Sequence, residues 1–247
     1  AYVTALTSVG MSLIQAREFA GVDANNEFIP GKGYEIVGQI PNTLSGFSAT
    51  IFRKNGSYVL AVRGTENVFT NSGAIDWSGN LGDIGANGIA ISQALDLFNA
   101  FQQLTAQAGS TVYQYSYIPV LNQIVYSSFT ASSTGALYGQ SFAVTGHSLG
   151  GHLALIMSRL APNLSGQIYS YNAPGFDTNL VTPSPSPGSE GFFTLLRNAE
   201  ISARGASNIS LGGWNTVNLH NLVVPEDIIH FIGYVPGAQL AQFSESG

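Results

Sequence analysis

The chain has 247 residues with 8 Lys+Arg and 14 Asp+Glu, so 9% of it is charged, against about 25% in an ordinary soluble domain. A net charge of −6 with eight cationic side chains excludes a basic nucleic-acid binder, and an apolar content of 45% excludes intrinsic disorder. The absence of cysteine excludes a disulfide scaffold and any thiolate metal or redox site.

The length suits one large α/β domain, and no apolar run reaches the roughly 18 residues that a membrane helix needs. The chain opens on Ala1 and its first basic residue is Arg17, so no signal-peptide pattern is present and a processed or cut product is expected. Residues 3–20 carry Leu6, Val9, Leu13, Ala16 and Phe19 at helical spacing, with Gly21 as the stop. Residues 21–46 read as loop with short strands. Phe47–Arg53 and Tyr58–Arg63 flank Lys54-Asn55-Gly56-Ser57, where Asn-Gly predicts a hairpin because both turn positions need positive φ. Residues 64–88 read as a connection, and Gln93–Ala108 as an amphipathic helix ended by Gly109. Segment 111–140 has no clear period; a helix is expected over Val120–Phe129. Ser141–Thr145 predicts a short buried strand, followed by a helix with Leu149, Leu153, Ile156, Met157 and Leu160 on one face and Pro162 as its end. Gln167–Tyr171 is a second buried strand, Thr182–Gly191 an exposed irregular loop, Phe192–Ala203 a helix candidate and Thr216–Val224 a last strand. Alternating strands and helices imply a mixed sheet with parallel crossovers.

The chemistry sits at Gly146-His147-Ser148-Leu149-Gly150, which fits G-x-S-x-G between a strand and a helix. In that turn the serine is lifted off the sheet on a strained backbone, and side chains two residues either way would collide with neighbouring backbone. The amide of Leu149, at the helix start, then faces a reacting carbonyl oxygen. A glycine-rich turn with an incidental serine is the alternative reading. A second constellation is Val62-Arg63-Gly64-Thr65-Glu66 at the end of the hairpin's second strand.

Together with Asp76-Trp77 and Asn80-Leu81, these segments resemble the class 3 lipase family of α/β-hydrolases, over about Ala49 to Gly233. The nearest likeness is to bacterial secreted lipases whose genes also encode glycine-rich calcium-binding repeats, which are absent here. The resemblance implies an α/β-hydrolase-like sheet, mixed and mostly parallel with flanking helices. It also implies Thr65 as first oxyanion-hole residue, the Leu149 amide as the second, and secretion. It implies no cofactor in the chemistry, and calcium at most in folding. Arg63 is expected to brace its loop through a carboxylate, Glu66 or Asp76, or else to be a solvated surface arginine.

In this fold the triad runs Ser, acid, His along the chain. Asp227, in Val224-Pro225-Glu226-Asp227, follows the last strand and is the expected acid, with Asp177 as runner-up one strand early. Of the four histidines, His147 and His152 belong to the turn and its helix and read as packing or hydrogen-bonding residues. His220 precedes the acid, and His230 follows it by only three residues. The preferred expectation is a single domain over 1–247 that stops short of a C-terminal segment carrying the base; His230 as base is the alternative.

Gly31-Lys32-Gly33 lacks phosphate-loop spacing, no carboxylate cluster has calcium-loop spacing, and there is no repeat. The expected activity is carboxylic-ester hydrolysis on lipid esters, as a lipase or phospholipase A, through an acyl-enzyme on Ser148, with contact at a lipid–water interface. Residues 66–92 and 182–191 are candidate lids. A binding or assembly module with an incomplete site, and an acyltransferase or thioesterase, are the competing readings.

Overall fold

The computed structural model describes residues 2–8, 10–64, 88–176, 187–214 and 217–222, with the backbone alone over 187–190. Among them a six-stranded sheet runs in the order β1-β2-β3-β6-β7-β8, and β4 and β5 form a separate two-stranded sheet. The strands are β1 (Glu35–Ile40), β2 (Ala49–Lys54), β3 (Ser57–Val62), β4 (Thr111–Ile118), β5 (Gln123–Thr130), β6 (Phe142–His147), β7 (Ile168–Tyr171) and β8 (Leu219–Leu222). The pairs β3–β6, β6–β7 and β7–β8 are parallel; β1–β2 and β2–β3 are antiparallel. This is the mixed, mostly parallel sheet flanked by helices that was expected.

The helices are α1 (Tyr2–Ser8), α2 (Leu13–Ala20), α3 (Ile91–Leu104), α4 (Leu149–Leu160) and α5 (Pro187–Arg204). Alternate strand residues Ala49, Ile51, Leu60, Val62, Phe142, Val144 and Ile168 are buried, and they join α3, α4 and α5 in one continuous core. The intervening Phe52 turns to the other face, where its ring meets Phe19 of α2 at 5.4 Å edge-on. Asn55 and Gly56 hold φ 51° and 79°, so the predicted β2–β3 turn forms as its residues require.

Several expectations are corrected. The helix expected over 3–20 is two helices, broken at Gly10 (φ 97°) and restarted by Ser12, which with Gln15 makes a reciprocal capping box. The second ends at Gly21 as predicted. The Gln93–Ala108 helix spans Ile91–Leu104 instead, its C-cap at Thr105. Val120–Phe129 is not helical: after a 3-10 turn at Pro119–Leu121, Asn122 (φ 47°) reverses the chain into β5. Aromatic and β-branched residues on both strands pair across this hairpin, as at Tyr115↔Tyr126, which a single-strand pattern search does not detect. Within the expected loop 182–191, residues 187–191 already belong to α5, because proline is well tolerated in a helix's first turn.

Candidate functional site

The parallel strands β3, β6, β7 and β8 all end at one edge of the sheet, where open α/β sheets hold their ligands. β6, between β3 and β7, ends at His147, and α4 begins two residues later at Leu149. Ser148 joins them with φ 54° and ψ −127°, a conformation that non-glycine residues avoid. Its amide donates to the Tyr171 carbonyl of β7 (2.9 Å), and its carbonyl accepts from the His152 amide (3.0 Å). Both ends of the strained residue are therefore fastened. The Ser148 side chain does not cap the helix. The amide of Leu149, as the first helical residue, has no acceptor within the helix and points from its positive end. The Leu149 side chain is buried against Ala90.

The turn is tight because of its glycines. A Cβ on Gly146 would collide with the backbone of Gly150 and Gly151, and one on Gly150 with the backbone of Val62, Arg63 and Gly64. Gly64 closes in from the other side, 2.6 Å from the His147 carbonyl if it carried a Cβ. The end of β3 is thus pressed onto the serine turn, which brings the Arg63-Gly64 segment beside Ser148. Arg63 donates to Asn42 Oδ1 (2.6 Å) and its amide to the Ser48 carbonyl (3.0 Å). Glu66 and Asp76 lie outside the described residues.

His152 both packs and hydrogen-bonds, in line with its reading from the sequence. It is fully buried, its Nδ1 lies 3.1 Å from the Pro174 carbonyl, and the Ala90 amide reaches its Nε2 at 3.5 Å. The carbonyl can only accept and the amide can only donate, so Nδ1 carries the hydrogen and the ring is neutral. Burial pushes its pKa down to about 4, opposed by hydrogen bonds to the Pro174 and Gly175 backbone. The ring also contacts Phe176 at 4.5 Å. His152 therefore ties α4 to the backbone just before α3 and to the backbone that follows β7. The spacing of GHSLGGHLA carries no signal for this; it depends on two loops distant in sequence.

The other histidines are elsewhere. His147 is exposed at the last position of β6. His220, on β8, stacks on Tyr169 at 4.9 Å and shares a 2.6 Å hydrogen bond with Gln167 Oε1. Thr65, Asp177, Asp227 and His230 lie outside the described residues. Among the described residues no group of three or more His, Asp or Glu is placed to hold a metal ion. None of their helices is long and apolar enough to cross a membrane.

No family model and no curated protein matches the chain. Among solved structures it is similar to the Lip2 lipase from Yarrowia lipolytica, at 15% identity and a TM-score of 0.38, over 86% of this chain and 68% of that one. It is also similar to a fungal lipase in complex with an inhibitor, at 12% identity and a TM-score of 0.30, over 80% of this chain and 60% of that one. Neither of the two is bacterial.

Proposed function

We propose that the chain is a serine carboxylic-ester hydrolase acting on lipid esters, as a lipase or phospholipase A. The observation that supports this most is Ser148: a serine held at φ 54° between β6 and α4, with the Leu149 amide at the helix start beside it. A strained conformation of this kind persists only where the surroundings enforce it, and it concentrates at active sites.

In this reading the Ser148 hydroxyl attacks the ester carbonyl carbon and gives its proton to a histidine. That histidine is His230 or one on a segment beyond this chain, oriented by Asp227. The oxyanion that forms is held by Thr65 and the Leu149 amide. Its collapse breaks the bond to the alcohol, which leaves with the histidine's proton. Water, deprotonated by the same histidine, then frees the acid from Ser148. Secretion, a bacterial kinship within the class 3 lipases and chemistry without a cofactor, calcium serving at most in folding, belong to the same reading.

A binding or assembly module is the second reading, and one observation favours it. Among the described residues, His152 uses both ring nitrogens in structural contacts, His220 is bonded to Gln167 through Nε2 and His147 is exposed at the end of β6, and none of the three is hydrogen-bonded to the Ser148 hydroxyl.

A fluorophosphonate probe on the parent chain and on Ser148→Ala separates the two readings. Labelling of the parent alone is the expected result. Equal failure to label, in the longest natural form of the protein, sinks the hydrolase. A panel of p-nitrophenyl esters from acetate to palmitate then reads the chain-length preference.

A further inference from the structure

Strand β5 (Gln123–Thr130) leaves one side of its backbone unused. Its other side pairs with β4 in unbroken register, from Ile118↔Gln123 to Thr111↔Thr130. Asn99 shows which groups are free. Its side chain bonds both the amide and the carbonyl of Tyr115, so these point away from β5. Tyr115 stands opposite Tyr126, and in an antiparallel ladder the members of a pair either bond each other or both turn away. The N–H and C=O of Tyr126 therefore face outward, and by the two-residue period so do those of Ile124, Ser128 and Thr130. Among the described residues no third strand and no side chain meets them. The edge is accessible: only Ile124 of β5 is buried, and an open groove of about 480 Å³ lies between Gln123–Tyr126 and Leu195, Asn198 and Ser202 of α5.

Edge strands are ordinarily blunted by charge, proline or a bulge, because a bare edge pairs with other strands. β1, the outer strand of the six-stranded sheet, has such devices: its register shifts between Ile36 and Gly38, and Glu35 is ion-paired with Arg53. β5 has none. Its sequence, QIVYSSFT, holds no charged residue, no proline and no glycine. Arg204 of α5 reaches the hairpin, but it is turned onto the Tyr113 ring (4.9 Å) and the Tyr115 hydroxyl and pairs with Glu200.

The strand also complements itself. In a two-fold antiparallel pair of β5 strands, one register joins all four outward residues: Ile124 opposite Thr130, and Tyr126 opposite Ser128, of the second copy. That register sets Val125 opposite Phe129 and puts Ser127 on the axis, opposite its own copy. Val125 and Phe129 are 40% and 45% exposed, and a β-branched residue opposite an aromatic one is a favourable cross-strand pair. The large Tyr126 meets the small Ser128, and no like charges face each other. The outer side of β4 is occupied at its middle by Asn99, so the sheet closes at four strands instead of growing into a fibre.

We infer that β5 is a dimerisation edge: two copies of this chain pair their β5 strands antiparallel about Ser127, and the two hairpins become one four-stranded sheet. The dimer forms whether or not Ser148 is reactive.

Sedimentation of the parent chain at pH 8, from low to high micromolar concentration, is expected to show a reversible monomer–dimer equilibrium, weak because one strand edge is a small interface. Ser127→Lys sets two like charges against each other on the axis and weakens the dimer at least about ten-fold. The chain has no cysteine, so Ser127→Cys carries a sole thiol. The Ser127 backbone already bonds β4, so across the axis it forms a non-hydrogen-bonded pair. Such a pair has its Cα atoms about 4.5 Å apart, within reach of a disulfide, and mild oxidation links this variant into a covalent dimer. Ser116→Cys, exposed on β4 one strand from the edge, stays unlinked under the same oxidation. Thermal melting reports whether each variant folds, and the two cysteine variants carry the test if the lysine disturbs the hairpin. The proposal is overturned by a parent that sediments as a monomer throughout, whatever other strand its edge accepts. It is equally overturned by a dimer that folded Ser127→Lys leaves intact, or by oxidation that links Ser116→Cys as readily as Ser127→Cys.

Discussion

At Ser148, the cost of positive φ falls on any residue with a Cβ and is absent for glycine. Ser148→Gly and Ser148→Ala both remove the hydroxyl, but only the first relieves the backbone. The glycine variant is expected to be more stable than the alanine variant by roughly 1 kcal/mol, measured by urea denaturation, and under the proposed hydrolase function neither hydrolyses esters. His152 makes a pH-dependent contribution. Its pKa falls from the ordinary 6.5 to about 4 in the folded chain, so between these values the unfolded chain binds the extra proton. Stability is therefore complete above about pH 6.5 and declines as the pH drops toward 4. The loss from this residue is roughly 3 kcal/mol, and below pH 4 it levels off. His152→Gln keeps polar atoms for Pro174 and Ala90 without titrating, so its stability curve should be flatter over that window. An unchanged slope would assign the acid sensitivity to other groups.

Elements meet at the turn through backbone rather than side chains. Gly146→Ala would push a methyl group into the Gly150 backbone, which neither β6 nor α4 can vacate. A loss of about 3 kcal/mol or more is expected from thermal unfolding. The hairpin is joined to α3 by Asn99, whose side chain donates to the Tyr115 carbonyl (2.9 Å) and accepts from its amide (2.8 Å), as a neighbouring strand would. Asn99→Ala leaves both backbone groups without that partner, and a destabilisation of about 2 to 3 kcal/mol is expected. The legibility of these elements in the amino-acid order follows from range. The β2–β3 hairpin and the strand–Ser148–helix turn were readable because Asn55-Gly56 and Gly146/Gly150 encode local backbone needs. The β4–β5 hairpin was not, since its turn is set by Asn122 in a left-handed conformation behind a 3-10 turn, and the Tyr115–Tyr126 pairing appears only across strands. His152 reads from its place on the helix as a packing or hydrogen-bonding residue and is both, but its partners Ala90 and Pro174 are not legible because they are remote in sequence on either side. The motif singles out Ser148 and Leu149 as candidates. Thr65, Asp227 and His230 rest on resemblance, outside the described residues.

For the molecule as a whole, sparse charge sets the solution behaviour. The pI is about 5.0, and with so few ionised groups little repulsion remains near that pH. Light scattering across pH is expected to show self-association peaking near pH 5, relieved toward pH 8; a flat profile would mean that its Ser, Thr, Asn and Gln suffice to keep copies apart. The contact between the end of β3 and the serine turn has a kinetic consequence. Gly64 and Gly150 meet only when a segment near residue 60 finds one near residue 150, so residues 142–160 on their own lack the contact that closes on the serine turn. Such non-local closure is slow, because the entropy of the long intervening loop is lost before the contact forms. The strained turn at Ser148 should therefore be among the last features to appear in refolding. The rate at which Ser148 becomes open to a covalent probe would then time the completion of the sheet, well after helical signals have recovered.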